Sequence, residues 1–152
     1  MKISLTRIEG LAASLLLVAA LMTGATSRAD SANGDAQVKP VLAQKLPNVP
    51  GQSLTVVTVS YAPGGKSPAH RHAGSVFAYV LSGAIRSETS GTGPAKVYQA
   101  GESFFEPPGS RHLVSENASA TEPASLLAVF VAADGVQLTT FDTAPPQGGV
   151  MK

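Results

Sequence analysis

The hydrophobic positions of this chain fall into short runs that are separated by turn-forming residues. Beyond residue 50, the runs are rich in Val, Ile, Leu, Thr and aromatic residues, and they end at segments rich in Gly, Pro and Ser. Short runs of this composition, with turn signals at close intervals, are typical of an all-β sandwich or closed barrel. The pattern predicts about eight strands, over 54–61, 75–81, 84–89, 95–99, 102–106, 111–116, 125–132 and 137–141.

The run at 125–132 (SLLAVFVA) is apolar throughout and does not alternate with polar residues. A strand of this kind is typically buried on both faces, so we predict that it is central in its sheet. The length of 152 residues fits one domain, and we place the barrel at 51–142. The polar, proline-containing residues 30–50 are predicted to be a flexible N-terminal segment, and 143–152 a flexible tail.

The first 29 residues have the pattern of a secretory signal peptide. Lys2 and Arg7 are positively charged, Leu11 to Met22 is an uncharged apolar stretch of twelve residues, and small residues follow up to Ala29. The alternative is a membrane anchor, but a membrane span needs about 20 apolar residues. We therefore expect cleavage after Ala29, export to the periplasm or the medium, and no stable membrane anchor after processing.

Composition and charge limit the kinds of partner that the protein can have. Charged residues make up 14% of the chain, the formal net charge is +1, and no run of Lys or Arg occurs. A nucleic-acid partner is not expected, because such partners require a clustered basic surface. The chain has no Cys, which excludes disulfides and thiolate metal sites. A small-molecule substrate or ligand is the partner that we expect.

The three histidines of the chain are the candidate metal ligands. His70 and His72 are separated by one residue, and in an extended segment the side chains of i and i+2 point the same way. His112 follows a predicted strand and the turn PPGSR. Neutral imidazole is a common ligand for transition-metal ions. Taken alone, the His-x-His pair could also be two surface histidines near a loop.

The residues around the histidines favour the metal site. Five residues separate Gly64 from His70, and Gly83 follows the next strand. This segment resembles the first motif of the cupin family, G-x5-H-x-H-x3-4-E-x6-G. The segment that begins at Gly101 resembles the second cupin motif, G-x5-P-x-G-x2-H-x3-N, with one extra residue before Asn117.

The resemblance covers approximately residues 51–133, which is most of the chain after residue 29. It implies a jelly-roll barrel of antiparallel strands. It also implies one metal ion, held at the mouth of the barrel by the motif histidines. Small cupins commonly pair through their sheets, so we also consider a homodimer in which the apolar run 125–132 extends the interface.

One position departs from the cupin pattern. Where the first motif has glutamate, this chain has Val76. Either the metal is held by three histidines with open positions, or another acid supplies the carboxylate. Glu106 is the best such acid, but we favour a surface carboxylate, or one that pairs with Arg71 or Arg111. A site without the carboxylate would bind Mn²⁺ weakly and would favour Fe²⁺, Zn²⁺, Cu²⁺ or Ni²⁺.

A cupin fold does not by itself determine function. The first hypothesis is a mononuclear metal-dependent enzyme of the dioxygenase type that acts on a small molecule, as the three-histidine iron dioxygenases of the family do. In that hypothesis Glu106 is the only nearby candidate for a general base. The second hypothesis is a non-catalytic, exported cupin that binds a metal or a small ligand. A third is a structural barrel without a metal.

Overall fold

The computed structural model describes residues 35–142, and every regular element among them is a β-strand. The described part contains ten strands. Their bounds are β1 (Ala36–Lys45), β2 (Gln52–Tyr61), β3 (His70–His72), β4 (Ser75–Ser82), β5 (Ala84–Thr89), β6 (Lys96–Gln99), β7 (Ser103–Glu106), β8 (Arg111–Asn117), β9 (Ala124–Ala133) and β10 (Thr139–Phe141). The eight predicted strands all form, with ends that differ by up to two residues.

The strands form two five-stranded antiparallel sheets. The order in the first sheet is β1-β2-β9-β4-β7, and the order in the second is β10-β3-β8-β5-β6. Most neighbours in each sheet are distant in sequence, as expected for a jelly roll rather than a simple meander. The predicted all-β, antiparallel jelly-roll barrel is therefore confirmed.

The core lies between the two sheets and is built from strands that alternate between inward and outward residues. In β4, Val76, Ala78 and Val80 are almost completely buried, while the residues between them are exposed. β9 lies between β2 and β4 in the centre of its sheet, as predicted. Its second face is only half-buried, however, and Val131 is exposed. The predicted burial of this strand on both faces is wrong, because no described element covers the outer face of the sheet.

The segment predicted to be flexible contains a regular strand. β1 pairs with β2 along its length, with a bulge between Pro40 and Leu42, and all but its first residue are exposed. Proline, which lacks an N–H donor, is tolerated in such an edge strand. The prediction of a flexible segment at 30–50 is therefore wrong for Ala36–Lys45. Its polar composition reflects an exposed edge that is held by backbone hydrogen bonds.

The predicted signal peptide (1–29) and the predicted tail (143–152) lie outside the described residues. Within 35–142, no helix is long and apolar enough to cross a membrane.

A close backbone contact positions β3 relative to the first sheet. Gly74 joins β3 to β4, and a Cβ atom at this position would lie 2.1 Å from the carbonyl oxygen of Val131 and 2.6 Å from Cβ of Ala132. Only glycine can approach β9 this closely. The short strand that carries two of the histidines is thereby held against the edge of the core.

Candidate metal centre

The structure brings together the three histidines that the sequence predicted as ligands. His70 and His72 project inward from β3, while Arg71 between them is exposed. His112 lies on the adjacent strand β8, directly opposite His70 in the register. One ligand atom from each histidine can be chosen so that all three lie within 4.8 Å of one another. This spacing allows the three rings to bind a single metal ion.

The three rings are buried and suited to bind a metal in the neutral form. The exposed fractions of His70, His72 and His112 are 6%, 7% and 3%. Burial lowers the pKa of His70 to about 4, and the nearby His112 and His72 act in the same direction. Burial also lowers the pKa of His72. At neutral pH these two imidazoles are therefore uncharged, which is the state that coordinates a metal.

Hydrogen bonds orient the two histidines of β3. Nδ1 of His70 lies 2.7 Å from the carbonyl oxygen of Pro68. Nδ1 of His72 lies 3.1 Å from Oγ1 of Thr139 and 3.3 Å from the carbonyl oxygen of Leu138. A neutral ring that donates from Nδ1 keeps an unshared electron pair on Nε2. Both rings are thus held in the tautomer that offers Nε2 to an ion.

The strand β10 supports this side of the site. It pairs with β3, and the ring of Phe141 lies 5.5 Å from the ring of His70. Asp142, the next residue, contacts Arg111 at 2.6 Å and Arg71 at 3.9 Å. These ion pairs link the end of β10 to β3 and β8, the two strands that carry the histidines. Sequence reasoning predicted the strand but missed its role, because nothing in the local pattern indicates which strand it joins.

Glu106 lies inside the barrel and not on its surface. It is 3% exposed, and it is paired directly opposite Val76 in the register between β4 and β7. Arg71 and Arg111 instead contact Asp142. The favoured interpretation of Glu106, as a surface carboxylate or a partner of these arginines, is therefore wrong. Its alternation with exposed Phe105 places it on the same inward face as buried Phe104.

Glu106 and His112 carry polar atoms that the protein alone does not satisfy. Oε2 of Glu106 lies 3.0 Å from Nδ1 of His112 and 3.7 Å from Nε2 of His72. The contact with His112 lacks hydrogen-bonding geometry, so that both of its atoms are buried without a hydrogen-bond partner. Nε2 of His112, in contrast, lies 2.9 Å from Oγ of Ser87.

The charge state of Glu106 also suits a cation. Burial raises the pKa of its carboxyl group, but the contact with His112 and the other two histidines outweigh burial and lower the pKa overall. The carboxylate therefore remains charged at neutral pH. Buried polar groups in proteins are nearly always satisfied, and a divalent cation among these atoms would satisfy both Glu106 and His112. The residues present fit a metal ion.

The histidines and Glu106 line one wall of a cavity of about 210 Å³. The remaining walls are mostly apolar and include Val57, Val59, Val76, Leu126 and Phe130. A cluster of hydroxyl groups supplies a polar region, in which the hydroxyl of Tyr61 lies 2.8 Å from Oγ of Ser115 and 3.1 Å from Oγ of Ser67. The cavity suits a small molecule with a mostly apolar body.

Solved structures similar to this one share its fold. A cupin-like protein from Thermotoga maritima MSB8 has a TM-score of 0.55 and 21% identity, over 72% of this chain and 77% of its own. A conserved protein with a double-stranded β-helix domain, from Klebsiella pneumoniae subsp. pneumoniae MGH 78578, has a TM-score of 0.56 and 24% identity, over 74% of this chain and 88% of its own.

Enzymes are also among the similar structures. The DMSP lyase DddQ from Ruegeria pomeroyi DSS-3 has a TM-score of 0.57 and 18% identity, over 78% of this chain. The chain spans only 56% of that lyase, and 44% of another chain from a study of DMSP lyases. At such identities the likeness establishes the fold and not the activity.

Family comparison agrees with the fold. A search of curated proteins finds no match to the sequence. Residues 57–130 match the family model described as "Cupin domain", and this span contains all three histidines, Glu106 and most of the cavity wall. Residues 57–130 are therefore similar to the cupin domain, and the antiparallel jelly roll of the structure agrees with that similarity.

Proposed function

We propose that this protein is a metal-dependent enzyme that acts on a small, mostly apolar molecule. One divalent transition metal would be held by His70, His72 and His112. The observation that carries the proposal is the convergence of three buried histidines, with ligand atoms within 4.8 Å of one another, on the wall of an apolar cavity. Structural histidines in a core have no comparable reason to converge beside an open space.

The reaction class that we favour is dioxygenation, because a metal held by few protein ligands has room for both O₂ and a substrate. When bound, the metal would supply redox or Lewis-acid chemistry. The side chains of the protein orient the metal-binding rings and shield the substrate from water. Thr139 and the Pro68 carbonyl fix the rings of His72 and His70, and the apolar walls exclude water from the substrate. The hydroxyl cluster at Tyr61 can bind a polar group of that molecule.

Metal content and turnover test this proposal. The full chain is purified from its native compartment, where metal availability is natural, and analysed for metals beside His72→Ala. We expect about one equivalent of transition metal in the wild type and almost none in the variant. Consumption of O₂ with thiols, flavonols or diketones supports the enzyme. A protein that binds metal but turns over none of these substrates would favour the second candidate function, a non-catalytic binding module. A protein without metal would contradict both the enzyme and the binding module.

We also propose that the protein acts outside the cytoplasm. The support is the sequence pattern of residues 1–29, with its charged start, its apolar stretch and the small residues up to Ala29. Fractionation of the producing cells and N-terminal sequencing test it. A periplasmic or secreted protein that begins near residue 30 agrees with the proposal, whereas a cytoplasmic protein with an intact N-terminus contradicts it.

A further inference from the structure

We infer that Glu106 is a fourth ligand of the metal ion, through Oε2, rather than a general base. This inference rests on the proposed metal site and adds an oxygen donor to the three imidazoles. Its starting point is a pair of buried atoms, Oε2 of Glu106 and Nδ1 of His112, that face each other without a hydrogen bond.

Distances place Glu106 beside two of the three histidine ligands, His72 and His112. Its Oε2 is 3.0 Å from a nitrogen of His112 and 3.7 Å from a nitrogen of His72. These separations are shorter than the 4.8 Å that spans the three histidines themselves. A carboxylate so close to two ligand rings would lie within reach of an ion that both of them bind.

The contacts of Glu106 do not fit the two other roles considered for it, an ion pair with an arginine or a purely structural, hydrogen-bonded carboxylate. Neither Arg71 nor Arg111 is available as its ion-pair partner, since both contact Asp142. A purely structural carboxylate at 3% exposure would be expected to accept hydrogen bonds at both oxygens. A cation bound at Oε2 supplies the missing interaction, and it matches the negative charge with a positive one.

The fold explains how Glu106 can take this position. β7 pairs with β4, and residues directly opposite each other in an antiparallel pair point to the same side of the sheet. Glu106 therefore projects into the barrel beside Val76, the position where the family motif has glutamate. The carboxylate enters from the neighbouring strand.

The added carboxylate changes the metals that the site would accept. Three imidazoles alone favour Fe²⁺, Zn²⁺, Cu²⁺ or Ni²⁺, whereas an anionic oxygen ligand increases the affinity for harder ions such as Mn²⁺. Weak binding of Mn²⁺ is expected only for a site without a carboxylate ligand. If Glu106 coordinates the ion, that expectation no longer applies.

Titration of the metal-free full chain with Mn²⁺ and with Zn²⁺ tests the inference. Wild type, Glu106→Gln and Glu106→Asp are compared, with Glu102→Gln as the control, because Glu102 is an exposed acid four positions earlier. We expect the affinity of Glu106→Gln for Mn²⁺ to fall by about a hundredfold, and its affinity for Zn²⁺ by less. Glu106→Asp should lie between, and Glu102→Gln should match the wild type.

The outcomes separate this inference from the proposed function. If the wild type binds one ion and Glu106→Gln binds Mn²⁺ equally well, Glu106 is not a ligand, while the three-histidine site stands. If the wild type binds neither ion, the proposed metal site itself is wrong. If Glu106→Gln does not fold, Glu106→Asp decides, because a shorter ligand must change the Mn²⁺ affinity and the electron paramagnetic resonance signal of the bound ion. An unchanged affinity and signal would overturn the inference.

Discussion

The candidate metal site has two sides, one formed by the histidines of β3 and the other by Glu106 and His112. They differ in whether the protein alone supplies a hydrogen-bond partner for each buried polar atom. On the β3 side, Nδ1 of His70 and Nδ1 of His72 each have an oxygen acceptor. On the other side, Oε2 of Glu106 and Nδ1 of His112 are buried without a partner. The first side is oriented by hydrogen bonds before any ion arrives. The second side would be satisfied only when an ion is bound.

This difference has a physical cause. A neutral imidazole needs one acceptor for its N–H, and the carbonyl of Pro68 and the hydroxyl of Thr139 provide it for His70 and His72. A buried carboxylate has several lone pairs and a full charge, so leaving it unmatched is costly. The β3 side therefore contributes preorganisation, and the Glu106 side contributes much of the attraction for a cation.

The largest effect is expected when a ligand is removed. His112→Ala deletes the metal-binding ring of the Glu106 side, so the metal affinity should fall by more than about a hundredfold, beyond the usual cost of losing an outer-shell contact. Calorimetric titration measures this loss. Leu113→Ala is the matched control, because Leu113 adjoins His112 on β8 but is exposed. Unchanged metal binding in His112→Ala would contradict the site.

Metal binding should stabilise the fold, and mainly on the Glu106 side. At a free metal concentration one hundred times the Kd, the gain is about 2.7 kcal/mol, which raises the Tm of a domain of this size by about 10 °C. When the metal binds, backbone amide hydrogen exchange should slow more in β7 and β8 than in β3 and β10. Equal protection of all four strands would contradict the proposed difference between the two sides.

A smaller effect is expected from the hydrogen bond that orients His72. Thr139→Val removes the hydroxyl but preserves the shape of the side chain, and it should weaken metal binding by about tenfold. Thr139→Ser should retain most of the affinity. Thr140→Val is the control, since the same substitution is made one position away at an exposed residue. If Thr139→Val and Thr140→Val bind the metal equally, the β3 side does not depend on the hydroxyl of Thr139.

The smallest effect is expected in the metal-free protein. The histidines lower the pKa of Glu106, so the folded protein favours its charged form. Glu106→Gln should therefore decrease the free energy of unfolding by about 1 kcal/mol at neutral pH. Urea denaturation with a chelator present measures this change. An increase in the free energy of unfolding would contradict the lowered pKa of Glu106, because burial of the charge would then outweigh its contacts with the histidines.

The sequence was sufficient to predict most strands because their periodicity and their turns agree. The convergence of the histidines was predicted from the resemblance of their two segments to the cupin motifs, because local spacing relates His70 to His72 but not to the distant His112. β1 was missed because an exposed edge strand has no apolar face to indicate it. The partners of β10 were unpredictable because a three-residue strand carries no pattern that specifies its neighbour.

Glu106 shows the limit of local reasoning. Its alternation with Phe105, and its shared face with Phe104, could have indicated an inward direction. Its closeness to His112 and its place opposite Val76 depend on how β7 pairs with β4, a contact between strands that are far apart in the chain. Such a register is determined by the packing of the whole sheet. The negatively charged carboxylate of Glu106 could therefore be assigned to the site only once the fold was known.

A crystal structure of the full chain grown with Mn²⁺, with the ion located by anomalous scattering, is the most direct test of the proposed metal centre. We expect one ion bound to a ring nitrogen of His70, His72 and His112 and to Oε2 of Glu106, within about 2.0–2.4 Å of each atom. An ion held by the histidines with Glu106 turned away would contradict the proposed role of the carboxylate. An ion bound elsewhere, or none at these residues, would contradict the metal centre itself.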